Sequence, residues 1–117
     1  DLEKTYKGIM ASSGNSFVHE TESQVILNGS YNINFTMDLV LKDTGLFDDL
    51  AKKLNAPLEI SPLVVDIFKD GQKKYGSKAW SSMIVKRMED INKINFRANG
   101  FPEELIDNEN EEIGYEI

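Results

Sequence analysis

The strongest helical pattern of the chain lies in residues 36–54, TMDLVLKDTGLFDDLAKKL. Its large apolar residues recur at intervals of three, four and seven, which is typical of one side of an amphipathic helix. At about 100° per residue, the apolar arc, as it is called below, consists of Leu39, Leu46, Phe47, Leu50 and Leu54. The spacing predicts a helix over residues 36–54 that packs this arc into a core.

Three residues in the middle of this helix are poor choices for a buried surface. Asp43 projects into the middle of the apolar arc, and a buried carboxylate is costly unless it is paired or hydrogen-bonded. Lys42 lies at the edge of the arc, and Gly45 costs about 1 kcal/mol relative to alanine inside a helix. Two interpretations stay open. Either these residues serve binding, or Asp43 accepts backbone hydrogen bonds from a neighbouring segment while Gly45 allows close packing.

Other helices are predicted upstream and downstream of this one. Residues 2–12 have helical character, and Ser16 is a suitable N-cap for a second helix over residues 17–27 that Asn28-Gly29 would end. Tyr31–Phe35 alternates and could be extended. Ser61-Pro62 resembles the N-cap and first turn of a further helix. Residues 77–92 predict a last helix with one apolar stripe, formed by Trp80, Ile84, Met88 and Ile91.

The order of these elements indicates an all-α fold. No alternation of strands and helices is visible, so the chain does not contain a parallel sheet of its own. Residues 1–96 are expected to form a compact bundle of about five helices. Residues 97–117 are expected to form a peripheral acidic tail, with a short helix possible at 102–106, because from residue 98 onward the sequence holds seven acidic residues and neither Lys nor Arg.

Composition excludes several classes of function. The chain has no cysteine and a single histidine, His19, so thiolate sites are excluded and no metal site is expected. We expect His19 to be solvent-facing or helix-capping. The net charge of -7 argues against nucleic-acid binding, and no apolar run has the length of a membrane helix. No glycine-rich phosphate motif and no leader pattern occur, and we expect a cytoplasmic protein.

One segment resembles a known family motif. Phe35–Phe47, FTMDLVLKDTGLF, resembles F-x-x-x-L-x-x-K-D-L-G-L-A of the β-hydroxyacid dehydrogenase family, which includes 3-hydroxyisobutyrate dehydrogenase. Residues 13–16 (SGNS) resemble the family's small-residue turn, residues 51–58 (AKKLNAPL) resemble its A-x-x-x-G-V-P-L turn, and residues 78–82 (KAWSS) resemble the aromatic-serine opening of its last helix. The resemblance runs in order over residues 3–90.

The resemblance implies a two-domain parent enzyme. Its N-terminal Rossmann domain would bind NAD or NADP, and its C-terminal helical domain, as in the 6-phosphogluconate/3-hydroxyisobutyrate dehydrogenase superfamily, would close over the cofactor and a small 3-hydroxy acid. This chain resembles only the later part of the helical domain. The family's catalytic motif G-x-x-G-x-x-x-K-x-x-N, on the helix linking the domains, is not found here. No catalytic residue is therefore assigned, and the segment alone is expected to be inactive.

Three residues carry roles over from the family motif. Lys42 matches the lysine that lies at the cofactor, Phe35 matches an aromatic residue at the edge of the substrate pocket, and Asp43 matches the paired acid, for which an orienting role is expected. Thr44 stands where the family usually has Leu, and Asn55 where it usually has Gly. These departures leave the substrate class and the subfamily open. The choice between NAD and NADP is also open, because the resemblance places that selection in the Rossmann domain.

Two other functions remain open on the sequence alone. One is a non-catalytic helical dimerisation module, because the family's helical domains pair into homodimers and an isolated piece would keep apolar faces that need covering. The other is a relative that reduces imines or other carbonyl compounds on the same scaffold.

Overall fold

A computed structural model describes residues 1–105 and Gly114. Over these residues the chain contains five α-helices and no β-strand, which confirms the predicted all-α bundle. The helices are α1 (Leu2–Met10), α2 (Phe17–Asn28), α3 (Met37–Lys53), α4 (Ile60–Tyr75) and α5 (Lys86–Asn92), and a short 3₁₀-helix (Ser81–Val85) runs directly into α5.

The first two helices begin and end where local signals place them. The Ser16 hydroxyl accepts a hydrogen bond from the backbone N–H of His19 at 3.0 Å, so Ser16 is the N-cap of α2 as predicted. Gly29 ends the helix with φ of +99°, a conformation that few residues other than glycine adopt without strain. His19 is half-buried between α1 and α2. Its Nε2 contacts the backbone oxygen of Tyr6 at 3.0 Å, so the expectation of a solvent-facing or capping histidine was wrong.

Helices α3 and α4 form an antiparallel pair. The Ser61 hydroxyl at the start of α4 donates a hydrogen bond to Asp48 near the end of α3, at 2.5 Å. At the opposite end, Gly71 of α4 lies against Met37 of α3, and a Cβ on Gly71 would come within 3.3 Å of the Met37 sulfur. The prediction that Ser61 caps α4 was wrong, because α4 begins at Ile60, two residues before the predicted start at Pro62, and the Ser61 side chain binds α3 instead.

The face of α3 that packs against α4 is not the predicted one. Met37 and Ala51 are buried, and Asp48 faces α4 with them. In the apolar arc, Leu46 is 64% exposed and Leu50 is 54% exposed. Met37, Ala51 and Asp48 make the contact with α4, while the larger apolar side chains of the arc are left exposed. The prediction that this arc lies in the core of the chain was wrong.

The last helix begins later than its apolar stripe suggested. Residues 77–80 form a turn, and Trp80 makes an isolated antiparallel bridge with Thr36. The backbone groups of this turn bind the residues around the start of α3, so they cannot also begin a helix. Ile91, from the predicted stripe, is 65% exposed.

Residues 97–105 lie against the helices. Ala98 N–H donates to the carbonyl of Leu27 at 3.0 Å, and the Asn28 amide donates to the carbonyl of Phe101 at 3.0 Å. Contacts therefore cross residue 96, and the domain boundary placed there stays a prediction. Residues 102–105 are not helical, while the rest of the predicted short helix and most of the acidic tail lie outside the described residues.

Much apolar surface of the described chain is uncovered. The buried apolar side chains are those of Val25, Leu27, Tyr31, Met37, Ala51 and Val65. Larger exposed apolar side chains include Leu46, Phe47 and Leu50 on α3, Leu54 directly after α3, and Ile60 and Leu63 on α4. Exposed apolar patches of this kind mark surfaces for contact. None of the helices in residues 1–105 is both long and apolar enough to cross a membrane.

Candidate functional site

Lys42 and Asp43 form an ion pair on the outer surface of α3. The Lys42 Nζ lies 3.1 Å from an Asp43 carboxylate oxygen, and the two side chains are 60% and 54% exposed. Asp43 lies in the middle of the apolar arc, as the helical spacing predicted, but the arc is open to solvent and the carboxylate is not buried. A Cβ on Gly45 would meet no atom within 4 Å, so close packing within the described residues does not explain this glycine.

Phe35 lies at the N-terminal end of the same helix, where the turn of residues 77–81 holds the backbone. Its carbonyl accepts a hydrogen bond from Ser81 N–H at 2.8 Å, and Met37 N–H donates to the carbonyl of Ala79 at 3.0 Å. Lys42 is five residues into α3, about 8 Å along the helix axis from Met37. Phe35 therefore lies just before α3, and Lys42 lies in the N-terminal half of the same helix. The structure records no contact between the two side chains.

A second ion pair stabilises this end of α3. The Lys78 ammonium lies 2.6 Å from the Asp38 carboxylate, and the Thr36 hydroxyl also donates to that carboxylate. These two hydrogen bonds hold the pKa of Asp38 below its ordinary value. Asp38 remains ionised near neutral pH, and the turn that carries Trp80 stays attached to α3.

Phe35, Lys42 and Asp43 line none of the larger cavities of the described chain. One apolar cavity of about 550 Å³ lies at the turn between α3 and α4, next to Ala51 and Pro57. A more polar one of about 410 Å³ lies beside residues 32–34. No group of three or more His, Asp or Glu side chains that could hold a metal ion occurs in residues 1–105.

The most connected polar cluster was not found from the sequence. Glu89 is 1% exposed and accepts hydrogen bonds from the Tyr31 hydroxyl at 2.5 Å, the Phe96 N–H at 2.8 Å and the Arg97 guanidinium at 2.7 Å. A second guanidinium nitrogen of Arg97 donates to the Tyr31 hydroxyl at 2.8 Å. This buried acid network joins α5, the residues after α2 and the segment that follows α5.

The charge state of this network makes stability sensitive to acid. Burial alone would raise the pKa of Glu89, but the hydrogen bonds from Tyr31, Phe96 and Arg97 outweigh burial and leave the pKa below its ordinary value. The unfolded chain then binds the proton more readily than the folded one. The stabilisation is present above the unfolded pKa, about 4, and is lost as the pH falls through the folded value.

We therefore expect the free energy of unfolding to be steady at neutral pH and to decrease below about pH 4. Urea unfolding followed by circular dichroism at a series of pH values measures it. An Asp66→Asn variant, which changes an exposed pair with Lys69, serves as a control that keeps the acid-induced decrease. Stability that stays constant down to about pH 2 would contradict the ionised network.

The family of the chain follows from comparison with known proteins. Residues 1–88 match the family model described as NAD-binding of NADP-dependent 3-hydroxyisobutyrate dehydrogenase. The chain belongs to this family. It is also similar to proteins named L-threonate dehydrogenase from Escherichia coli (strain K12) and Haemophilus influenzae (strain Rd). Each is 27% identical over 85 residues, which are 73% of this chain and 28% of the relative.

Membership in the 3-hydroxyisobutyrate dehydrogenase family confirms the resemblance read from the K-D-x-G-L motif. The family consists of NAD(P)-dependent oxidoreductases that act on hydroxy acids, so its cofactor is NAD or NADP. The chain spans about 28% of the length of the curated relatives it matches.

Two departures from the family motif have structural reasons. Asn55, where the family usually has glycine, follows α3 with φ of +52°, and asparagine is among the residues that tolerate this left-handed conformation. The Thr44 hydroxyl, where the family usually has leucine, donates to the carbonyl of Val40 at 2.7 Å, so its polar group is satisfied within the helix. Neither departure disturbs the α3 backbone.

Among the described residues, Lys42 has the chemistry to bind a dinucleotide. The exposed Lys42 ammonium can donate to phosphate or ribose oxygens while Asp43 keeps it near the helix. Residues 1–105 contain no glycine-rich phosphate cradle.

Proposed function

We propose that the chain is the C-terminal helical domain of an NAD(P)-dependent 3-hydroxyacid dehydrogenase and closes the cleft over the cofactor and substrate. The observation that carries this proposal is the Lys42–Asp43 ion pair, exposed within an uncovered apolar arc. A cation amid apolar side chains suits a surface that meets an anionic cofactor and then excludes water. Membership in the dehydrogenase family supports the same conclusion.

Each of the three residues has a distinct role in this proposal. Lys42 binds the dinucleotide by donating hydrogen bonds to its oxygens. Asp43 is a positioning residue that restricts the Lys42 ammonium from 3.1 Å away. Phe35, before the N-terminus of α3, borders the substrate with apolar surface. When bound, the dinucleotide supplies the nicotinamide that exchanges hydride with the substrate carbon; the proton-transfer residue is not assigned to this chain.

The apolar arc has one proposed occupant, the remainder of the parent polypeptide. The relatives are more than three times as long as the matched segment, and the resemblance places a linking helix and a dinucleotide-binding domain in that remainder. Covering Leu46, Phe47 and Leu50 would stabilise the closed cleft by removing apolar surface from water. The 117-residue chain by itself is then expected to be inactive.

The proposed substrate is a small 3-hydroxy acid, and the names of the relatives add L-threonate to the acids worth testing. The parent enzyme is also proposed to be a homodimer in the cytoplasm. The exposed side chains of Ile60 and Leu63 on α4 offer a surface for a second copy, next to the end of the apolar arc at Phe47, with which Ile60 lines one cavity.

This uncovered α4 surface also supports the alternative function, a non-catalytic helical dimerisation module. The two functions differ in an observable way, because both include association through α4 but only the dehydrogenase binds a dinucleotide. Titration of the full-length protein with NADPH distinguishes them.

The test of the proposed function is hydride transfer by the full-length protein. We expect reduction of NAD⁺ or NADP⁺, seen as absorbance of the reduced nicotinamide, with at least one acid from a panel of 3-hydroxyisobutyrate, 3-hydroxypropionate, 3-hydroxybutyrate and L-threonate. The 117-residue chain assayed alone should give none. A folded full-length protein that reduces neither nucleotide with any of these acids would contradict the proposal.

A further inference from the structure

A polar cavity of about 410 Å³ is lined in part by Asn34, the residue before Phe35, and is lined by neither Lys42 nor Asp43. A volume of this size accommodates a small organic ligand. Its walls come from the segment between α2 and α3, the turn before the 3₁₀-helix and the residues that follow α5. They are formed by Asn32, Ile33, Asn34, Trp80, Glu104 and Leu105.

The walls of this cavity are held by hydrogen bonds. The Asn32 amide donates to the Glu104 carboxylate at 3.3 Å, and the Ser30 hydroxyl donates to the carbonyl of Glu103 at 2.6 Å. Trp80 is fixed by its bridge to Thr36. The polar groups are therefore presented by backbone segments that are attached to each other, which lowers the entropic cost of binding.

The chemistry of the lining fits a hydroxylated ligand. The Asn32 and Asn34 amides both donate and accept hydrogen bonds, and the Glu104 carboxylate accepts several, so each can bind an alcohol. The indole of Trp80 and the side chain of Ile33 offer apolar surface to the carbon skeleton between hydroxyl groups. Amides and one carboxylate around apolar surface suit a polyol better than a hydrocarbon.

The charge of the lining restricts which part of a sugar acid enters. Glu104 is the charged residue of the lining, and neither Lys nor Arg lines the cavity. A carboxylate ligand group would be repelled there, whereas neutral hydroxyl groups would be accepted. The anionic end of an acid must therefore bind outside this cavity.

We propose that this cavity binds the neutral, hydroxylated tail of the substrate and selects polyhydroxylated acids over acids with one hydroxyl group. The assignment rests on the proposed dehydrogenase function and deepens it. Asn34 and Glu104 are the specificity-determining residues, and Phe35, next in the chain after Asn34, connects the cavity with the reacting end of the substrate.

The variants that test the assignment are Asn34→Gly and Glu104→Gln in the full-length protein. Glycine is chosen because residue 34 has φ of +54°, which alanine would adopt only with strain. Glu103→Gln is the matched control, because Glu103 precedes Glu104 but its side chain does not line the cavity. The readout is kcat/KM for L-threonate divided by kcat/KM for 3-hydroxybutyrate, an acid of equal carbon number with one hydroxyl group.

We expect each cavity variant to lower this ratio about 10-fold, the usual loss for one hydrogen bond to a substrate hydroxyl, and Glu103→Gln to leave it unchanged. A wild-type protein that oxidises hydroxy acids but whose cavity variants keep the ratio would overturn the cavity assignment alone. A wild-type protein that oxidises no hydroxy acid would overturn the proposed function and this assignment with it.

Discussion

Replacing Arg97 with alanine should lower the free energy of unfolding by about 3 kcal/mol. The change removes the cation that pairs with Glu89 at 2.7 Å, and leaves a carboxylate that is 1% exposed. Removing one partner of a buried ion pair typically costs about 3–5 kcal/mol. The lower end applies because the Tyr31 hydroxyl and the Phe96 N–H continue to bind Glu89.

Urea unfolding of the purified protein, followed by circular dichroism, measures this loss. The matched control is Lys69→Ala, which removes a lysine paired with Asp66 at 3.6 Å on the exposed face of α4. Exposed pairs contribute roughly 0–1 kcal/mol, so the control should be close to wild type. Equal stability losses in the two variants would show that the Glu89 network does not hold residues 97–105 to the helices.

Replacing Leu50 with aspartate should leave the helical chain folded but weaken dinucleotide binding by the full-length protein at least 10-fold. Leu50 is 54% exposed in the apolar arc, so the new charge costs little where the arc is open to water. In the proposed closed protein the arc is covered, and an unpaired carboxylate in an apolar contact is strongly unfavourable.

Val18→Asp provides the matched control, since Val18 is 58% exposed on α2 and outside the apolar arc. Isothermal titration of each variant with NADPH and NADH gives the affinities. We expect wild-type affinity for Val18→Asp. If the Leu50 and Val18 variants bind the nucleotides as wild type does, the arc is not the surface that meets the rest of the protein.

The sequence was sufficient for elements that depend on local signals. Ser16 and Gly29 determine the ends of α2 through their own side-chain and backbone chemistry, and apolar spacing located α3 to within a residue or two. These features depend on neighbours within one helical turn, which a single sequence displays directly.

Features that depend on distant partners were not predictable in the same way. The period of α3 shows that Leu46 and Leu50 share a side, but not whether that side meets α4 or another part of the protein. Glu89 resembles any surface acid in sequence, because its partner Tyr31 is 58 residues away. The roles of Lys42, Asp43 and Phe35 came from the family motif alone and stay predictions.

Lys42 is proposed to face the dinucleotide, and a comparison of Lys42→Ala with Lys52→Ala in the full-length protein tests this contact. Lys52 is the matched control, because it is also an exposed lysine of α3 beside an acid, Asp49, at 3.6 Å. Fluorescence titration with NADH and NADPH should show about 10-fold weaker binding for Lys42→Ala, the loss of one charge-assisted hydrogen bond, and wild-type binding for Lys52→Ala. Wild-type affinity in a folded Lys42→Ala protein would contradict the account.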